Sequence, residues 1–141
     1  MIKKEYLAQI ATDARQNAYT PYSHFKVGAA LLIKGDVVIT GSNIENSSYG
    51  LCNCAERSAL FAAYSKGYRK DDIIAMAISA DTEGPVSPCG ACRQVMSELL
   101  NADTPVILTN VNGDIMETNI KELLPYAFGE DDLKWKVDLF Q

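Results

Sequence analysis

Apolar residues fall along the chain in two rhythms, one with the period of a helix and one with that of a strand. Ile2, Leu7, Ile10, Ala11, Ala14 and Ala18 recur at helical spacing, which predicts an amphipathic helix before the break at Thr20-Pro21-Tyr22-Ser23. Val27 to Ile33 and Val37 to Ile44 are strand-like runs joined at Lys34-Gly35-Asp36, the pattern of an antiparallel hairpin. From Cys54 onward ERSALFAAYS is rich in helix formers, and the helix is expected to end near Gly67. Asp72 to Ala80 is a continuous apolar run of strand length, followed by a loop and a second predicted helix from Pro88 to Leu100. Pro105 to Thr109 leads to Asn112-Gly113, a strong short hairpin signal, and then to Ile115 to Thr118. These last two strands should be antiparallel, because a parallel pair would need a crossover of about a dozen residues or more. Helix, hairpin, helix, strand, helix, strand implies an α/β layered fold. No repeat, low-complexity tract or linker interrupts the series, and 141 residues suit one domain, so a single domain over 1–141 is expected.

Charge narrows the function classes. With 18 acidic against 13 basic side chains the formal net charge is -5, and no run of Lys or Arg is long enough to track a phosphate backbone. Nucleic acid is therefore not an expected partner. The opening MIKKEYLAQIATDARQ carries charges throughout, unlike the apolar core of a signal peptide, and no apolar run is long enough to span a bilayer. A soluble, cytoplasmic protein with no membrane partner is expected. The cytosol keeps thiols reduced, so four cysteines there point to metal ligands or catalytic groups rather than to disulfides.

Their positions carry the chemistry. Cys52-Asn53-Cys54-Ala55-Glu56-Arg57 crowds two thiols, a carboxylate and a guanidinium into six residues, and Ser87-Pro88-Cys89-Gly90-Ala91-Cys92-Arg93 places a Pro-Cys-x-x-Cys at a predicted helix start. A catalytic zinc keeps three protein ligands and one open position, and Cys54, Cys89 and Cys92 supply three. A fourth thiol, Cys52, leaves open a closed structural site of four cysteines. Glu56 favours the catalytic alternative: a structural knuckle has no use for a carboxylate two residues after a ligand, whereas a zinc-activated water needs a base within reach.

At these residues the chain resembles the zinc-dependent cytidine deaminases, specifically their small homotetrameric class. Their signature pairs His-x-Glu, or a cysteine variant of it, with Pro-Cys-x-x-Cys, and here Cys54-Ala55-Glu56 stands at the first element. The segments TPYSHFKVGAALL, GSNIENSSYGLCNCAERSAL, GPVSPCGACRQV and ELLPYAF follow in the family's order over nearly the whole chain. The resemblance implies a three-layer α/β/α sandwich with a mixed five-stranded sheet and one Zn2+ per subunit. It further implies hydrolysis of cytidine and deoxycytidine to the uracil nucleosides and ammonia, a step of pyrimidine salvage, with Glu56 as proton shuttle.

Three thiolates on a divalent ion leave a net negative centre, which must be offset. Both cysteine clusters stand at predicted helix N-termini, where free N–H groups favour thiolates. Arg57 can donate to the sulfurs, the role the resemblance also assigns it; a surface i, i+4 ion pair is not available, since Phe61 follows and Asn53 precedes. In Asn43-Ile44-Glu45 the alternation of an extended chain sends both polar side chains to one face. In the family the matching pair hydrogen-bonds the ribose hydroxyls, the residue matching Phe25 packs against the nucleoside, and backbone N–H groups near Ala55 and Cys89 hold the base edge. His24, the lone histidine, is expected to be structural, Tyr49 a packed ring and Cys52 an unligated thiol. The family closes its sites by tetramer formation, with a phenylalanine matching Phe128 reaching into a neighbouring subunit; the alternative for Phe128 is a C-terminal core anchor.

Three other functions compete. A structural zinc or redox module leaves Glu56, Asn43 and Glu45 without roles. A polynucleotide deaminase conflicts with the acidic net charge and with the Asn112-Gly113 hairpin. A deaminase of another cytosine compound, such as a nucleoside antibiotic, would share the zinc core, and it is the NIEN and HFKVGAA segments that favour the simple nucleoside. A nucleotide substrate would need a phosphate site, which no Arg or Lys cluster near these motifs provides.

Overall fold

The computed structural model describes residues 2–133; Met1 and 134–141 of the expected domain lie outside it. The strands β1 (Val27–Ile33), β2 (Val37–Ser42), β3 (Ile73–Ala80), β4 (Val106–Asn110) and β5 (Ile115–Thr118) form one sheet in the order β2-β1-β3-β4-β5. The helices are α1 (Lys4–Ala14), α2 (Ala55–Ser65), α3 (Gly90–Leu99) and the single turn α4 (Ile120–Leu123). The β3–β4 pair is parallel, with α3 as its crossover, and every other pairing is antiparallel. The sheet is therefore mixed, and Asn112-Gly113 turns β4 back into β5 with Gly113 at φ +85°.

The continuous apolar runs are explained by burial on both faces of the sheet. Ala29, Leu31, Met76, Ile78, Val106 and Leu108 share one core with Ala59, Leu60 and Ala63 of α2 and Met96 of α3. Ala30, Leu32, Ala75, Ala77 and Ile107 share the other with Leu7, Ala8 and Ala11 of α1. This period-2 division makes three layers, the expected sandwich. Two glycines allow the helices to seat. A Cβ on Gly28 would lie 2.0 Å from the Ala11 carbonyl oxygen, and one on Gly41 would lie 2.4 Å from the Ala59 nitrogen and 2.6 Å from the Ala55 oxygen.

Element ends differ from expectation where side chains or tertiary contacts intervene. Helix α1 stops at Ala14 rather than Ala18 because the Ser42 hydroxyl donates to the Ala14 carbonyl at 2.6 Å, and the chain tightens into a 3-10 turn over Arg15–Asn17. Helix α2 ends as expected, with the Tyr68 N–H on Ala63 O, the Gly67 N–H on Tyr64 O, and Gly67 at φ +96°. Strand β2 ends at Ser42, two residues early, yet the next residues stay tethered. Ile44 pairs with Asn53 through reciprocal backbone bonds of 3.0 and 2.9 Å, while Tyr19 bonds to Asn43 and Glu45. That stitch places the 19–25 loop and the start of α2 on either side of Asn43 to Glu45. Among the described residues no helix is long and apolar enough to cross a membrane.

Candidate active site

Cys54 is the N-cap of α2, Cys89 is the N-cap of α3, and Cys92 lies in the first turn of α3. Side-by-side helix starts bring the three sulfurs within 4.8 Å of one another, with Cys54 and Cys89 Sγ atoms 3.9 Å apart. Thiolates about 2.3 Å from a tetrahedral zinc would lie roughly 3.8 Å from each other, so the donor set fits that ion. Cys52 lies elsewhere: its sulfur accepts from Asn46 N–H at 3.3 Å and is turned toward Asn46 O. The cluster therefore keeps three sulfurs, which leaves one tetrahedral position for a reactant.

The electrostatics match this donor set. Arg57 Nη2 donates to Cys54 Sγ at 3.3 Å, and the Cys92 N–H points to Cys89 Sγ at 3.5 Å. Cys54 is held down to about 5, because Cys92 donates to its sulfur and Arg57 adds a hydrogen bond and a positive charge. Cys92 is pushed up by keeping that proton next to Cys54 and by burial. Arg57 Nε is buried with no acceptor, a penalty of about 1–3 kcal/mol by the usual desolvation scale. A guanidinium held at such a penalty suits a centre whose thiolates outnumber the metal's charge.

Glu56, in the first turn of α2, is only 4% exposed, and burial raises its pKa, with the Cys54 charge pushing the same way. A carboxyl so placed takes up a proton more readily than one in water, which suits a group that must accept a proton and give it back. It lines a cavity of about 240 Å3 together with Phe25, Asn43, Glu45, Cys54, Ala55 and Cys89. The structure thus brings every sequence-derived site residue except Cys92, Arg57 and Phe128 to one wall or another of this space. Cys92 is buried in the adjoining sulfur cluster, and Arg57 lies behind it.

Asn43 and Glu45 share a face as expected, but both are already engaged. Asn43 Nδ2 donates to Phe25 O at 2.8 Å and its Oδ1 accepts from Val27 N–H at 2.9 Å. Glu45 accepts from the Tyr22 and Ser23 N–H groups at 3.1 Å each and from the Ser23 hydroxyl, and these bonds, the hydroxyl's first, hold its carboxyl below the usual range. Together they clamp the loop that presents Phe25, which is 43% exposed toward the cavity. Each keeps spare capacity, one amide hydrogen on Asn43 and free lone pairs on Glu45.

Several side chains were not foreseen. Ser23, Val27, Ile78, Val86 and Ser87 also line the cavity. Ser23, Val27, Val86 and Ser87 lie inside the motifs quoted above and could be found on that ground, whereas Ile78 belongs to an apolar strand that carries no such signal. His24 occupies a turn at φ +58°, a left-handed conformation that histidine tolerates better than most residues, and it is not part of the sulfur cluster. Tyr49 is not packed inside: it is 74% exposed and meets Tyr22 edge-on at 6.0 Å, because it sits in a surface 3-10 turn. Phe128 is 59% exposed and borders a different hollow, of about 400 Å3, beside α3 and α4.

The family model for the cytidine and deoxycytidylate deaminase zinc-binding region matches residues 1–108. The cytidine deaminase of Halalkalibacterium halodurans is 59% identical over 130 residues, covering 92% of this chain and 97% of the relative. That of Sporosarcina psychrophila is 53% identical, covering 95% and 97%. The crystal structure of cytidine deaminase from Burkholderia pseudomallei superposes with a TM-score of 0.87 at 52% identity, over 90% of this chain and all (100%) of that one. The family model's match over residues 1–108 and these relatives, beside a three-sulfur cluster that could hold a metal, show that the chain belongs to the zinc-dependent cytidine and deoxycytidylate deaminase family.

Proposed function

We propose that the chain hydrolyses cytidine and deoxycytidine to uridine and deoxyuridine with release of ammonia, as a step of pyrimidine salvage. The observation that carries this reading is the meeting, in one cavity, of the buried Glu56, the polar pair Asn43 and Glu45, and two sulfurs, Cys54 and Cys89, of a cluster that Cys92 completes. Cys54, Cys89 and Cys92 would hold one zinc ion, which when bound supplies a Lewis acid that makes water nucleophilic near neutral pH.

The chain's own residues do the rest. Phe25 offers a face for the base, and the free hydrogen of Asn43 and lone pairs of Glu45 suit the sugar hydroxyls. Backbone N–H groups at the start of α2, near Ala55, and at Cys89 face the base edge. Glu56 takes a proton from the attacking water, passes it to ring N3 as C4 is attacked, and carries the second proton to the departing amine. The raised pKa of Glu56 supports this role, since the group must both accept and give a proton in one turnover.

The proposal extends to assembly and location. Phe128, exposed and lining a hollow other than its own active cavity, would close the site of a neighbouring subunit in a homotetramer. The enzyme would work in the cytoplasm, where four free cysteines stay reduced. Ultraviolet assays of the purified protein with cytidine, deoxycytidine, cytidine monophosphate and a cytosine nucleoside antibiotic, with a zinc determination alongside, test the substrate. Turnover of the two nucleosides with one zinc per chain is expected. Stoichiometric zinc without turnover of either nucleoside would refute the catalytic reading in favour of a structural metal module, and turnover of the antibiotic alone would reassign the substrate.

A further inference from the structure

Arg93 follows Cys92 directly and is half-buried, and each nitrogen of its guanidinium donates to a different neutral oxygen. Nε reaches Pro88 O at 2.9 Å, Nη2 reaches Ser87 Oγ at 2.6 Å, and Nη1 reaches Leu123 O at 2.7 Å. The first two acceptors belong to the loop that delivers Cys89, and Ser87 itself lines the active cavity. The third is the last residue of α4, thirty positions along the chain. The next residue of α3, Gln94, donates from Nε2 to Phe128 O at 2.8 Å.

Consecutive side chains of one helix thus hold both ends of the segment 123–128. Within that segment Tyr126 is fully exposed and sits at φ +56°, a conformation that a tyrosine does not keep unless its surroundings impose it. A planar fork carries its donors on three separate nitrogens and so reaches acceptors on different segments at fixed angles, whereas a lysine concentrates its three donors on one nitrogen.

We propose that Arg93 is a positioning residue whose guanidinium couples the cysteine loop 87–89 to the Phe128-bearing segment, so that metal retention and the order of that segment depend on each other. The inference rests on the reading that the three thiolates hold zinc. It does not rest on turnover.

The test uses the zinc-loaded protein as wild type, Arg93→Lys and Gln94→Ala. Zinc transfer to a chromogenic chelator is timed, and amide hydrogen exchange is followed over residues 120–129, with β3 as internal reference. Lysine at position 93 should speed exchange over 120–129 by tenfold or more and zinc transfer by fivefold or more, with β3 unchanged. Gln94→Ala, which frees only the Phe128 end and leaves the Arg93–Leu123 bond in place, should speed exchange near Phe128 and should speed zinc transfer by a smaller factor than Arg93→Lys does. Stripping zinc from the wild type should speed exchange over 120–129, and the same treatment should add less in Arg93→Lys, where the link is already cut.

Arg93→Lys moving only one of the two readouts would overturn the coupling, because a purely local cap on the loop or a purely local tie on the segment predicts that result. If lysine also loosens β3, the wild-type pair decides: no change over 120–129 on stripping overturns the proposal. Zinc retention with no cytidine turnover would instead sink the catalytic reading and leave this coupling standing.

Discussion

Glu56 has one task, to carry a proton. Replacing it with glutamine keeps size and hydrogen bonding but removes the basic oxygen, so Glu56→Gln should keep zinc and the fold while turnover falls by roughly two to four orders of magnitude. Zinc content beside kcat checks this, and loss of metal would contradict it. Cys89→Ala should lose zinc and activity together, because two thiolates do not complete the site. Arg57→Ala should retain metal but move the acidic limb of the kcat/KM profile to higher pH. The sign follows from charge: the guanidinium donates to Cys54 and favours deprotonated species around it, so its removal makes each harder to reach. An unmoved limb would count against it. Much of this site was legible in the sequence, because ligand spacing, a neighbouring carboxylate and a helix start are local facts. What was not legible was occupancy of the polar pair. Asn43 and Glu45 spend most of their hydrogen bonds on the backbone of 22–27, a contact between segments that no local pattern encodes.

Helices and strands were legible to within a few residues where one rhythm ran without interference, as in β1, whose bounds match expectation at both ends. They were misjudged where a partner from elsewhere took over, as when Ser42 claimed the Ala14 carbonyl and shortened α1. Close approach was also invisible, since Gly41 reads simply as a residue of β2 until α2 is laid upon it. Gly41→Ala makes this measurable. The added carbon would stand 2.4 Å from the Ala59 nitrogen, so α2 must lift from the sheet, taking Cys54 and Glu56 with it. Overpacking of this kind costs about 1–3 kcal/mol, and zinc affinity and activity should fall along with the denaturation midpoint. Gly35→Ala is the contrast: φ is +82° with nothing within 4 Å, so it should cost about 1 kcal/mol and leave kcat/KM unchanged. Equal effects from the two would mean that α2 seating does not govern the site.

For the whole molecule, the exposed Phe128 ties the shared-site proposal to an experiment on mixed subunits. Phe128→Ala and Glu56→Gln oligomers should each be weakly active, and exchange of subunits or co-expression should raise activity above the sum of the separate preparations, because an intact Glu56 can then meet an intact Phe128. Purely additive activity in hybrids verified by differential tagging would confine Phe128 to its own subunit. The thiol cluster has a consequence of another kind. Cys54 and Cys89 are 35 positions apart, so an ion held between them ties the polypeptide into a loop, as a staple would. By the chain-entropy relation for cross-links, a loop of about that length is worth roughly 4 kcal/mol if the tie survives unfolding. If it does not, ligand release replaces it, and the melting temperature then climbs with free zinc concentration. A scan across buffered zinc levels separates the two: a flat Tm means that the staple travels with the unfolded chain, and a rising one means that the ion leaves as the helices part.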